Sequence, residues 1–211
     1  MLNEEQIKLN KEYFLELVTS IEREGMNTER LLAQLEGSDF FVAPASAMYH
    51  NAFMGGLCSH SLTVYKTLVD LCSVMYPDNT CPYDGNTLKI VALFHDFDKM
   101  NKYEATVMNK KVYSEAGTKY DQMGKYDWVS VPGYKRKDAA DCFVFGTHGE
   151  NSAYMTETFI PLTTEEHCAI LNHHSSYDNH ELNITPIFNR YSLACLLHVV
   201  DMLSTYVWEK I

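Results

Sequence analysis

The chain contains no run of about 18 apolar residues, the length a membrane-spanning helix needs. Its start, Met1-Leu2-Asn3-Glu4-Glu5, lacks the basic stretch and following apolar stretch of a signal peptide, so the protein is expected to stay in the cytoplasm. Cysteine occurs at 58, 72, 81, 142, 168 and 195 but never as a CxxC pair, and most of these positions lie in apolar, helix-like context. That pattern suits buried thiols in a reducing compartment better than a disulfide framework, and it argues against a zinc–thiolate site. Positive charge is scarce as well: 17 Lys and Arg against 28 Asp and Glu give a net charge of -11. A protein that tracks a long phosphate backbone needs a basic stripe, because phosphate neutralisation and counterion release supply most of that affinity. Long nucleic acid is therefore not the expected partner. A few lysines around one cleft still suffice for a mononucleotide or a short oligonucleotide, and bound cations can offset part of the acidic excess.

Apolar surface is what the chain has in quantity. With 211 residues, 46% of them hydrophobic, it can bury one sizeable core, and a single domain over 1–211 is expected. Residues 3–24 place Ile7, Leu9, Tyr13, Phe14, Leu17, Val18 and Ile21 at a near-helical period that ends at Gly25. Asn27-Thr28 can cap a second helix running to Leu35 and closed by Gly37. The segment 1–38 thus reads as packing helices without chemistry. Further helices are expected over about 57–75, from Asn86 or Thr87 to the His95 segment, over 151–159, after Thr163, and over about 189–208. Thr163 followed by Glu166 is a capping-box pattern.

Between 102 and 137 the period changes. Tyr103, Ala105 and Val107 alternate with polar residues, Asn109-Lys110 is a turn candidate, and Val112, Tyr113, Trp128, Val129, Val131 and Tyr134 favour strands. The expectation is an all-α helical bundle carrying one small β-hairpin at 103–135. That excursion is either a surface insertion or a lid over a site, in which case its aromatics and Lys135-Arg136-Lys137 suit a base and its phosphate.

Chemistry concentrates in Leu93-Phe94-His95-Asp96-Phe97-Asp98-Lys99, where an adjacent His and Asp close an apolar run. Imidazole nitrogen and carboxylate oxygen are ordinary ligands for Zn, Mn or Fe. Other such residues stand on separate apolar segments: His60 after Gly55-Gly56-Leu57, His148 in Gly146-Thr147-His148-Gly149-Glu150, His173 and His174, and Asp201 in Leu197-His198-Val199-Val200-Asp201. A lone His on an apolar helix is more often a hydrogen-bonded core residue than a ligand, and His198 is read as structural. His167 and His180 are read as ordinary polar residues. Asp201 is the strongest single pointer, because a carboxylate inside an apolar helix is costly unless paired or metal-bound.

The order H…HD…H…H…D, with Lys99 after the pair and Gly-Gly-Leu before His60, resembles the HD superfamily of metal-dependent phosphohydrolases. The likeness covers roughly 40–105 and 145–205. Phe40-Phe41-Val42-Ala43-Pro44-Ala45, His50, Gly55-Gly56-Leu57 and His60-Ser61-Leu62 resemble the "PAA…HHxxxGGLxxHS" region of HD domains akin to those in bacterial 3′→5′ exoribonucleases that carry an OB domain. Here Asn51 replaces the second His, and Asp98 stands where the family's HDxGK signature has Gly. That carboxylate adds a charge around the ligands or alters the exit from the helix.

The resemblance implies one divalent ion on His60, His95, Asp96 and Asp201, and a second on Asp96, His148 and His173, with His174 the competing neighbour. Mn, Fe, Zn, Ni and Mg are the candidate ions. Asp96 and Lys99 are the implied catalytic residues, Lys99 meeting a phosphate oxygen; His50 is either a substrate or supporting contact or a plain loop residue. Single-metal nucleotidases of the family commonly have Glu at the position of Lys99, so the chain looks closer to the two-metal phosphodiesterase branch. The expected function is hydrolysis of a phosphoester in a nucleotide or short oligonucleotide by an activated water. Two alternatives stay open: a mixed-valent di-iron oxygenase on the same ligands, and a binding or regulatory protein with a vestigial site.

Overall fold

The computed structural model describes every residue except 79, 144–145, 175–182 and 210–211, so the reading of His180 lies outside the described residues. The N-terminal periodicity forms α1 (Glu4–Thr19), opened by a reciprocal cap in which the Asn3 side-chain oxygen accepts from the Gln6 N–H and the Gln6 side-chain oxygen accepts from the Asn3 N–H. This helix stops well before Gly25. The Ser20 hydroxyl donates to the Leu17 carbonyl at 2.7 Å and the chain leaves helical geometry, with Ile21 buried in the turn that follows. Asn27 caps α2 (Thr28–Glu36) through the Arg30 N–H.

The central helices are α3 (Gly56–Met75) and α4 (Gly85–Phe94). Gly55 begins α3 at φ +80°, and a Cβ on Gly56 would collide with the Asn51 carbonyl, so the glycine pair is what lets the 43–53 loop lie against the helix start. Apolar residues surround α4 because it packs on two sides. Ile90, Leu93 and Phe94 join Phe14, Phe40, Phe41 and Phe97 in one cluster; Leu88, Val91 and Ala92 join Val64, Leu68, Ile170, Leu193 and Val200 in the other. The element that ends in His95 is therefore clamped from both faces.

The strand-favouring segment forms β1 (Tyr103–Tyr113), β2 (Lys119–Asp121) and β3 (Gly124–Arg136), an antiparallel sheet in the order β1-β3-β2. Register runs from Tyr103 opposite Arg136 to Tyr113 opposite Tyr126. Asn109 and Lys110 are not a turn; they sit inside β1 opposite Ser130 and Val129. Strand-favouring residues on either side keep the ladder running, and the reversals fall at 114–118 and 122–123, where Gly117 and Gly124 tolerate the tight geometry.

After the sheet come α5 (His148–Glu157), α6 (Thr164–Asn172), α7 (Thr185–Arg190) and α8 (Ser192–Leu203). The last helix is interrupted at Tyr191, whose extended ψ of 89° separates α7 from α8, and it ends in a π-helical turn, Ser204–Trp208. The all-α expectation is overturned: eight α-helices share the described chain with a three-stranded sheet, so the fold is mixed. Alternation over 103–136 sustains a full ladder in place of a minor excursion. No described helix is long and apolar enough to cross a membrane. All six cysteines are free thiols, Cys58 and Cys72 fully buried.

Candidate metal centre

Each candidate ligand is delivered by a helix end or by a buried helix. His60 lies one turn into α3 and is fully buried. His95 is the residue just past α4, and its Nδ1 faces the Ala92 carbonyl at 2.8 Å; Asp96 then leaves helical geometry ahead of the 3₁₀ turn Phe97–Lys99. His148 is the first residue of α5, set there by a capping box in which Thr147 and Glu150 exchange bonds. A Cβ on the next residue, Gly149, would strike the Leu171 carbonyl, so that glycine lets α5 approach α6 closely. His173 follows α6, with Nδ1 on the Ile170 carbonyl at 2.7 Å.

The inward nitrogens converge. His60 Nε2 is 3.2 Å from His95 Nε2, 3.1 Å from Asp201 Oδ1 and 3.5 Å from Asp96 Oδ2; His95 Nε2 is 3.6 Å from the same Asp96 oxygen. The other Asp96 oxygen, Oδ1, faces His148 Nε2 at 2.6 Å and His173 Nε2 at 3.5 Å. His174 Nε2 is 3.9 Å from Asp201 Oδ2. One carboxylate therefore addresses two groups of histidines, one through each oxygen.

This arrangement fits a cation. Carbonyl oxygens only accept, so Nδ1 of His95 and of His173 carries the ring proton, and in the neutral ring Nε2 is a bare lone pair. The His95 lone pair faces His60 Nε2, and that of His173 points at an Asp96 oxygen, which also only accepts. His173 Nε2 is buried with no hydrogen-bond partner, a costly state that a positive ion between the groups relieves. Buried His and Asp groups thus stand within metal-binding distance: His60 with His95 and Asp96, and His148 with His173 and His174.

Without an ion, protons carry the positive charge. Burial opposes an imidazolium at His60, but hydrogen bonds to Asp201 and Glu209 outweigh it and raise the group to about 10. At His148 burial again opposes, and Asp98 and Asp96 raise it to about 9. Burial holds His95 down to about 3 and lowers His173. Asp96 stays ionised despite its burial because Lys99 and the histidines surround it, and Asp201 is lowered by His60 in the same way.

Two pairings went unforeseen in the sequence. Glu209, placed by the π-helical turn whose Glu209 N–H bonds Ser204 at 2.9 Å, receives His60 Nδ1 at 3.0 Å. Nothing local marks it. Asp98 does not pair with Lys99; it takes His148 Nδ1 and the Lys102 ammonium, both in very short contacts, while Lys99 Nζ sits 2.6 Å from Asp96 Oδ2. Of the two readings of Asp98, the added charge around the ligands is the one found. The Thr147–Glu150 capping box was readable from its spacing and locates His148 at a helix start.

His50 lies beside His60, ring centres 4.7 Å apart and planes tilted by 46°, with its buried Nε2 lacking a hydrogen-bond partner among the described residues. Burial, then the charge of His60, lowers it to about 3, so it is neutral. His198 donates to the His173 carbonyl at 2.6 Å, and His167 pairs with Glu157 at 3.2 Å, away from the cluster. A cavity of about 850 Å³ opens onto His173, His174 and Asp201, walled by His50, Tyr49, Lys110 and Tyr206. Lys99 and the 135–137 cluster are not on its wall. A slightly larger groove of about 920 Å³, between α1, α3 and the C-terminal turn, contains none of these ligands. No family model, curated protein or solved structure matches the chain.

Proposed function

We propose that the chain is a metal-dependent phosphohydrolase of the HD type that cleaves a phosphoester in a nucleotide or short oligonucleotide. The observation that carries this reading is Asp96, whose two oxygens face two separate sets of histidine nitrogens. His60, His95, Asp96 and Asp201 would hold one divalent ion; Asp96, His148 and His173, with His174 alongside, would hold a second. Mn, Fe, Zn, Ni and Mg are all compatible with imidazole and carboxylate donors. A divalent cation supplies Lewis acidity there, lowering the pKa of water towards neutrality and screening the charge of an attacked phosphate.

The chain's own residues do the rest. The Ala92 and Ile170 carbonyls set the tautomers of His95 and His173, and Glu209 and Asp98 aim His60 and His148. Lys99, buried against Asp96, is assigned to the negative charge that grows on the phosphate in the transition state. Neutral His50, on the cavity wall beside His60, is assigned as a substrate contact. Water is the nucleophile. The one thiol in the His60 turn, Cys58, is pushed up to about 12 by burial and stays protonated. The acidic balance of the chain favours a small substrate over a long polyanion.

The test is metal analysis of the purified protein, then a screen of nucleotides, cyclic dinucleotides and short oligonucleotides with Mn²⁺, in air and anaerobically. Hydrolysis that chelation abolishes and oxygen does not affect is expected. Turnover only in air would move the site to oxidation, and no conversion with any metal would move it to binding.

A further inference from the structure

Successive residues of β1 point to opposite faces of the sheet. Lys111 belongs to the face with Tyr113, Tyr126 and Trp128, and is engaged there: its Nζ lies 2.5 Å from Asp121 Oδ2 and 4.2 Å from the Tyr126 ring centre. Lys110 points the other way, opposite Val129, and lies on the wall of the cavity that opens onto His173, His174 and Asp201. It is exposed, and among the described residues no carboxylate is within ion-pair distance of its ammonium. Three other lysines are already paired: Lys99 with Asp96, Lys102 with Asp98, and Lys135 with Glu104 at 2.8 Å. Lys110 is thus the one Lys or Arg among the residues lining this cavity. Tyr49, Met48, Met202 and Tyr206 add broad apolar surface to the same wall.

An aromatic and thioether surface suits a planar ring, and an ammonium without a carboxylate partner among the described residues suits an anion. The phosphate to be cleaved belongs at the His/Asp cluster, so an anion at Lys110 is a different group of the same molecule. We propose that Lys110 forms a second phosphate subsite, and that the preferred substrate is a nucleotide carrying a phosphate beyond the one attacked. This rests on the phosphohydrolase reading and narrows its substrate class; it also gives the sheet a role in recognition.

The test is calorimetric binding to the Mn²⁺-loaded protein of two probes, AMP and α,β-methylene-ADP, the second bearing two phosphates and no cleavable P–O–P link. The native protein is expected to bind α,β-methylene-ADP more tightly. Lys110→Ala should weaken that probe by about tenfold or more, the scale of one hydrogen bond to a charged group, and change AMP far less. Lys110→Arg should retain the preference, and Lys111→Ala, on the opposite face, should leave it intact. Equal affinity of the native protein and Lys110→Ala for α,β-methylene-ADP would overturn the subsite, whatever the turnover. Failure of the native protein to hydrolyse any phosphoester would instead overturn the enzymatic reading, and the binding comparison would still decide the role of Lys110.

Discussion

The two groups of histidines that share Asp96 differ in how they are held. His60 and His95 are wholly enclosed, with side-chain exposures of 1% and 0%, and they come from α3 and α4, which pack into both hydrophobic clusters. His148 and His174 are 12% and 33% exposed and stand at a helix start and just beyond a helix end; His173 between them is as buried as His95, and His173 and His174 line the cavity. The enclosed group has its geometry set by packing. The open group depends more on specific polar partners, chiefly Asp98 on His148 Nδ1. Burial makes the first a durable anchor, while the second reaches the cavity through His173 and His174.

Removing the shared residue tests the comparison most severely. Asp96→Ala is expected to abolish metal at both positions and activity with it, measured by metal stoichiometry and turnover; retention of either ion would break the idea that Asp96 serves both. Lys99→Ala should keep the metal and lower kcat by on the order of 10²-fold, the cost of losing a charge-stabilising group in a water-poor site. If it is silent in the native and Asp98→Gly backgrounds alike, the phosphate role of Lys99 is wrong.

Asymmetry between the groups predicts the next effects. His148→Ala or His173→Ala should take occupancy from two ions towards one, with the enclosed group still loaded; unchanged stoichiometry in both variants would sink the two-ion reading. Asp98→Asn should weaken the open position by about 10- to 100-fold, as loss of a carboxylate behind a ligating histidine commonly does. Glu209→Gln should weaken the enclosed position by less, since packing already orients His60. Equal losses in a metal titration of the two variants would erase the difference drawn between the groups.

The smallest effect is on pH dependence. In metal-free protein His60 and His148 are raised to about 10 and about 9, above the ordinary histidine value near 6.5. A raised group adds stability that is complete below its unfolded pKa and lost as pH climbs through the folded one. Metal-free protein should therefore lose thermal stability between about pH 6.5 and 10, whereas loaded protein, its Nε2 atoms already coordinated, should show a flatter profile. Metal uptake should release protons and tighten with rising pH over the same window. Parallel melting curves for the two forms would mean that His60 and His148 do not exchange protons for metal.

Local signals were readable where local physics governs. Asn27 and Thr163 satisfy the first amides of their own helices, and Gly56 before His60 answers a contact with nearby Asn51, so caps and helix starts follow from short spacings. The seven histidine and aspartate positions singled out in the sequence do cluster, and His60, His95 and Asp201 stood out because each is a polar residue beside an apolar run. The hairpin was legible as strand, but its turn was misplaced at Asn109-Lys110, since a turn-favouring pair yields when pairing partners continue on both sides.

What the sequence determined by itself is the set of elements and the chemistry each carries: helices from 3.6-residue periodicity, strands from alternation, and an ordered series of ligand-type side chains. Only the tertiary structure decided which ring nitrogen faces inward, that Asp96 divides its oxygens between two groups, that Glu209 and Asp98 stand behind His60 and His148, and that Lys110 rather than the 135–137 cluster reaches the cavity. The physical reason is range. Capping and periodicity act over three or four residues, whereas these contacts join positions as far apart as 60 and 209 and depend on how α3, α4, α5, α6 and α8 pack and on a strand register that shifts every side chain to the other face if it slips by one.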